Sequence, residues 1–162
     1  MKRTLLSAFA VTLLFAACKK VDTPTSNEDM LRGGRWKRTS LKVTYRQGTG
    51  AMKTDDIFTP LDTCIKDNSL EFKTAYVGTE YKNVIKCSAG DPDETPFNWE
   101  IFNSGKNIRI YNVPETFLGE SSINADVLTL SSNMLSIRYV FINRNPLTQT
   151  ADTFTYADVF RK

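Results

Sequence analysis

Apolar and polar residues alternate along most of this chain with a period of two, the signature of strands that bury one face. Arg35 to Tyr45 places Leu41, Val43 and Tyr45 on one side. Ser69 to Lys73 does the same with Leu70 and Phe72, and Glu80 to Ser88 with Tyr81, Ile85 and Cys87. The pattern sharpens in the second half. Phe97, Trp99 and Ile101 alternate with Asn98 and Glu100; Asn103-Ser104-Gly105-Lys106 then has the composition of a hairpin connection, and Ile108 and Ile110 follow. Ile123 to Leu130 forms the next strand, with a turn at Ser131-Ser132-Asn133. Leu135, Ile137, Tyr139 and Phe141 share a face of the longest strand, and Phe154, Tyr156 and Phe160 mark the last.

The breaks between these runs are short. Asn27 with Glu28 and Asp29 is expected to cap one helical turn, ended by Gly33 and Gly34. Gln47-Gly48-Thr49-Gly50 interrupts the first strand. Ala51 to Asn68 is less regular, contains Pro60, and is expected to cross one end of the sheet as a lid-like loop. Gly90 to Pro96 is rich in turn residues, Pro114 to Glu120 is a connector, and Asn145-Pro146 opens a loop. About eight strands in hairpin succession must run antiparallel. With one apolar face each, they suit a sheet that curls until its edges meet, which removes unpaired edges. The expected fold is all-β, an eight-stranded antiparallel up-and-down barrel. A two-sheet sandwich is the alternative, since alternation does not separate the two.

The first residues follow another rule. Lys2 and Arg3 precede an apolar run from Leu5 to Phe15 that ends in Ala16-Ala17-Cys18. A charged start, a short apolar segment and small residues are the parts of a secretory signal peptide. The run is too short for a stable membrane span, which needs about 20 residues. Of the 21 basic residues, removal of Lys2 and Arg3 leaves 19 against 18 acidic. That near-balance speaks against nucleic acid as a partner. The chain has no histidine. Serine–histidine and cysteine–histidine catalysis, histidine acid–base chemistry and histidine metal sites are thereby excluded. Asp55 and Asp56 are adjacent and point to opposite faces of an extended chain. Asp91, Asp93 and Glu94 lack the pattern of a calcium loop and read as a solvated turn. The expectation is a protein that is not an enzyme and carries no cofactor.

Three cysteines occur, at positions 18, 64 and 87. In an exported protein Cys64 and Cys87 are expected to pair, because disulfides persist in oxidising compartments. Their midpoint falls at Ala75-Tyr76, a plausible turn. Strands folding back around it would set the two cysteines opposite one another within bridging distance. A reactive thiol or a metal ligand is the rival, and two cysteines alone supply too few ligands for a metal.

The Phe15-Ala16-Ala17-Cys18 segment resembles the lipobox of bacterial lipoproteins. The resemblance implies cleavage before Cys18, acylation of its thiol, and anchoring by fatty acyl chains. Lys19-Lys20 after the cysteine is unlike an inner-membrane retention signal, so the implied address is the outer membrane, on the periplasmic side, with exposure at the cell surface as the alternative. The expected organisation is a signal peptide over 1–17, a lipidated cysteine and flexible tether over 18–30, and a barrel over 31–162. Within the barrel, Gly34-Arg35-Trp36 resembles the Gly-x-Trp that opens the first strand of lipocalins. Cys64-Ile65-Lys66-Asp67-Asn68 with Cys87, Trp99-Glu100-Ile101 and the stretch from Leu128 to Ile137 resemble the lipocalin-like domains of bacterial lipoproteins. Leu31 stands three residues before Gly34, where many such domains space it by two. The resemblance implies that Trp36 plugs the narrow end of the barrel beneath an arginine from a late strand, with Arg138 and Arg161 as candidates.

Two functions follow from a barrel of this size, which can hold one small ligand or be filled by its own side chains. Phe72, Trp99, Tyr139 and Tyr156 fall on inward faces. They either line a pocket for a small hydrophobic ligand or form a solid core. In the second case the loops would serve a structural or protein-interaction role.

Overall fold

The computed structural model of the chain describes residues 26–46, 49–112, 115–118, 120–144 and 151–162. The expected signal peptide, Cys18 and the first part of the tether lie outside the described residues. So do the break at 47–48 and the loop opened by Asn145 and Pro146. Among the described residues no helix is long and apolar enough to cross a membrane.

Nine strands form one sheet: β1 (Arg35–Arg46), β2 (Met52–Asp56), β3 (Ser69–Phe72), β4 (Val77–Tyr81), β5 (Glu94–Phe102), β6 (Asn107–Tyr111), β7 (Ser122–Leu130), β8 (Met134–Arg144) and β9 (Ala151–Arg161). From β3 to β9 each strand pairs antiparallel with the next, and β1 pairs with both β3 and β9. The ring is therefore closed by eight strands, and the fold is a lipocalin-like up-and-down barrel rather than a sandwich. Two ladders share one edge of β1. Its first residues pair with β3, Trp36 opposite Leu70, and its last with β2, Tyr45 opposite Lys53. All five residues of β2 are exposed. It is a ninth strand laid along a β1 that is longer than the barrel needs.

Helix α1 (Asn27–Arg32) closes the end of the barrel where β1 begins. Ser26 is its cap. The Ser26 hydroxyl accepts from the Asp29 N–H while Asp29 accepts from the Ser26 N–H, a reciprocal box that satisfies two otherwise open donors. The helix is bolted to the barrel. Leu31 is fully buried, and its carbonyl accepts the indole N–H of Trp36 at 2.7 Å. Asn27 Nδ2 donates to the Ser104 carbonyl in the β5–β6 turn. Residues 26–30, expected as flexible tether, are thus a capped helical segment of the packed body. The cation over Trp36 is Lys162, its Nζ 4.3 Å from the ring centroid. The two arginine candidates lie elsewhere: Arg138 faces outward and pairs with Asp126, and Arg161 is exposed.

The inward residues of alternating strands meet as expected. Leu70, Phe72, Phe97, Trp99, Ile108, Ile110, Leu135, Ile137 and Phe160 are all buried in one cluster. Each such side chain gains about 1.5–3 kcal/mol on burial. Gly78 lies opposite Phe97, and the missing Cβ leaves room for that ring.

Three further expectations need correction. The segment 51–68 is not one loop: it contains β2 and helix α2 (Thr63–Asp67). The strand expected over Glu80 to Ser88 ends at Tyr81, and Val84 is 91% exposed. Here the Asp67 carboxylate accepts from the N–H groups of Val84 and Ile85, at 2.8 and 3.2 Å, and holds the chain as a loop. The Cys64–Cys87 disulfide forms, with 5.2 Å between its Cα atoms, although its cysteines do not sit on paired strands. It links α2 to that loop. The turn at Ala75 and Tyr76 does join β3 to β4, with φ of 58° at both residues.

Candidate functional site

The barrel axis is occupied by the protein's own side chains. Phe72 meets Phe97 and Trp99 edge-on at 5.5 and 5.4 Å, and the Trp99 N–H donates to the Val77 carbonyl at 2.8 Å. From the connector between β6 and β7, a 3₁₀ turn (Glu115–Phe117) pushes the Phe117 ring into the barrel, where it is fully buried. Phe117 lies 6.2 Å from Tyr139 and 6.0 Å from Phe160. It acts as a plug from the end opposite α1.

A polar network absent from the sequence expectations holds this plug. Arg38, 3% exposed, makes a two-pronged ion pair with Asp158, 0% exposed. Nε lies 2.8 Å from Oδ1 and Nη2 2.5 Å from Oδ2. Arg38 Nη1 donates to the Thr116 carbonyl at 2.5 Å. The Thr116 N–H donates to Glu80 Oε1 at 3.0 Å, and its hydroxyl bonds the same oxygen. Glu80 pairs in turn with Lys82 at 2.9 Å and accepts from Asn68 Nδ2. Two buried cations and two buried carboxylates are thus joined through one threonine. Burial pushes the Asp158 carboxyl above its ordinary range, against the pull of Arg38 and the Tyr139 hydroxyl. Burial likewise raises the Tyr139 phenol. The sequence flagged one member: Asp158 keeps the alternation of Phe154, Tyr156 and Phe160 and so falls on an inward face, where an unpaired charge is costly. Arg38 turns inward through the register shift between Arg38 and Ser40, and Glu80 by standing opposite the inward Leu70, so both escaped a reading by alternation.

Above the plug the wall opens. β7 and β8 pair as far as Ala125 and Tyr139. Beyond that point, among the described residues, β8 has no strand on its β7 side, while it stays paired with β9 up to Arg144. The parting strands leave a cleft of about 320 Å³ lined by Glu120, Phe141, Ile142, Asn143, Phe154 and Tyr156. Phe141, Phe154 and Tyr156 are each half-buried. Tyr156 stacks on Tyr139 at 5.3 Å with 5° between their planes, and Phe141 meets Tyr156 at 5.3 Å and 60°. Tyr45 backs Phe154 at 5.8 Å. The Tyr156 phenol is raised, first by burial and then by the Glu120 charge.

A second groove, of about 420 Å³, lies where β4 starts and leaves the lower half of β5 uncovered. Tyr76, Trp99, Ile101 and Tyr111 line it with Asn98 and Glu100. Trp99 is almost fully buried beneath it, and Glu100 is engaged by Arg109 and Tyr111.

The four residues expected to line one pocket therefore do not share one. Phe72, Trp99 and Tyr139 are buried core, with Trp99 forming the floor of the second groove. Tyr156 alone lines the cleft at the mouth. Phe141, expected only as a core position, joins it there. The acidic turn has its own partners: Asp91 accepts from the Ser88 N–H and Asp93 pairs with Lys86. No protein-family model matches the chain, and no curated protein matches it.

Proposed function

We propose that this chain is a lipid-anchored protein of the bacterial cell envelope whose barrel binds a small hydrophobic ligand at its mouth, not along its axis. The half-buried aromatic cleft between Phe141, Phe154 and Tyr156 carries this proposal. A pocket for a small molecule is concave, about 300 Å³ or larger, and sets aromatic surface beside a few polar groups that orient its guest. Glu120 and Asn143 are such groups. The filled axis argues for the mouth, since a ligand there displaces no core side chain. The absence of histidine and the two internally neutralised ion pairs support a binding role over a catalytic one. The lipobox-like Cys18 supports anchoring in the outer membrane, facing the periplasm, and the lipocalin-like architecture supports kinship with lipoproteins of that fold.

Two measurements test this. Intact mass of the chain purified from membranes should show cleavage before Cys18 and added acyl chains; an unprocessed Met1 would refute the anchor. Fluorescence titration with N-phenyl-1-naphthylamine, a neutral apolar probe, should give saturable binding. Phe154→Ala should weaken it about tenfold, the loss of roughly 1.4 kcal/mol of contact. Equal binding by wild type and Phe154→Ala would refute the cleft.

The competing role is protein docking through a filled barrel. The outer face of β8 favours it, where Val140 and Ile142 are 50% and 57% exposed. Absence of any probe binding, together with a partner lost on Val140→Asp, would establish that role instead.

A further inference from the structure

We infer that the mouth cleft takes an organic cation, an amine or quaternary ammonium carried on a small apolar body. This rests on the cleft being the binding site and adds the charge of its guest.

The first argument is the set of rings. Phe141 and Tyr156 meet at 60°, so their planes form two walls of a corner, and Phe154 lines the same cleft. Tyr139 stacks against one face of Tyr156 and Tyr45 backs Phe154, so the rings are held in place by further rings. Aromatic faces are electron-rich, and a cation within about 6 Å of a ring centroid is attracted to them. Several rings at an angle surround a rounded cation better than they surround a flat neutral ring, which needs parallel faces.

The second argument is the charge that faces the cleft. Glu120 is the ionisable acid in its lining. Asp152 sits opposite Asn143, on the face of β9 that carries Phe154 and Tyr156. Asp55 sits opposite Val43 on the matching face of β2, and accepts from the Tyr45 hydroxyl at 2.8 Å. Lys53, opposite Tyr45, is the cation on that face. Below the cleft the Arg38 guanidinium is neutralised by Asp158. Glu120 therefore lines the cup of rings itself, Asp152 stands beside it opposite Asn143, and Asp55 and Lys53 offset one another on the more distant β2. An anion entering the cup would meet Glu120. A neutral ligand would gain the apolar contact but nothing from the acid. A cation gains both.

The experiment compares three small molecules of one shape on the full chain, followed by NMR at the ring signals of Tyr156 and Phe154. Phenyltrimethylammonium, its neutral isostere tert-butylbenzene and the anion benzenesulfonate differ mainly in charge. The cation is expected to bind at least about tenfold more tightly than either of the others, and Glu120→Gln to remove most of that preference while leaving the fold intact. If tert-butylbenzene binds as tightly as the cation at the same ring signals, the charge inference is overturned and the cleft stands. If the cation's advantage survives Glu120→Gln undiminished, the inference is overturned as well. If none of the three shifts Tyr156 or Phe154, both the cleft and the inference fall.

Discussion

Replacing Asp158 by Asn removes one partner of a buried pair and keeps its shape. The Arg38 guanidinium, 3% exposed, would then face a neutral amide where it now makes two bonds of 2.8 and 2.5 Å to a carboxylate. Stranding one member of such a pair costs about 3–5 kcal/mol, because the remaining charge has no water to return to. Arg38→Met strands the carboxylate and is expected to cost about as much. The double variant Arg38→Met/Asp158→Leu removes both charges together. Its main loss is the bond from Arg38 to the Thr116 carbonyl, about 1–2 kcal/mol for a buried acceptor left unpaired. The double variant should therefore be more stable than either single one. Urea unfolding measures this directly. With a slope near 2 kcal/mol per molar, each single substitution should lower the midpoint by about 1.5–2.5 M and the double by under about 1 M. Single-variant losses that simply add in the double would show that the two side chains do not depend on each other.

Three further outcomes are expected. Gly78→Ala places a methyl 2.2–2.7 Å from three atoms of the Phe97 ring, so it should cost about 1–3 kcal/mol, and Phe97→Leu in the same chain should restore part of it; an unchanged melting temperature in Gly78→Ala would contradict the packing. Cys64→Ser/Cys87→Ser releases a loop of separation 23 and should lower stability by about 3 kcal/mol, read as a melting temperature lower by about 6–12 °C; no change on reduction would contradict the staple. Asp67 is held below its ordinary value of 3.8, mainly by the Lys37 amine and the backbone N–H groups of Val84 and Ile85. Its contribution is therefore present above that value and lost as pH falls through the lowered one. Asp67→Asn should flatten the fall in stability between about pH 5 and pH 2 seen in urea melts, and an identical acid profile would contradict this.

Most of the barrel is legible from the chain because its strands bury one face and their turns are short. Leu135, Ile137, Tyr139 and Phe141 repeat every second residue and no local interaction competes with that period. β2 is invisible for the opposite reason. Met-Lys-Thr-Asp-Asp has no apolar face, and it forms a strand because β1 extends past β3 and offers unpaired backbone groups. Tyr81, Ile85 and Cys87 alternate as a strand does, yet one carboxylate, Asp67, captures the backbone after Tyr81 and bends it. The cysteine pair follows from the count of thiols, whereas its place, α2 against a loop, depends on tertiary folding. The same holds for the candidate site. Tyr156 and Phe141 read correctly as inward-facing, but the cleft exists because β7 and β8 part beyond Ala125 and Tyr139, a long-range event with no local signature. Arg38 and Asp158 are 120 residues apart, so Asp158 looks like a misplaced charge and Arg38 like a solvated one until the barrel closes and brings them together.

The contrast between a full axis and an open mouth is tested most directly by intermolecular NOEs from bound N-phenyl-1-naphthylamine to the full chain. Contacts should run to the rings of Phe141, Phe154 and Tyr156, with none to Phe72 or Ile110. Contacts to Phe72 and Ile110 would place the ligand on the barrel axis and contradict the filled core.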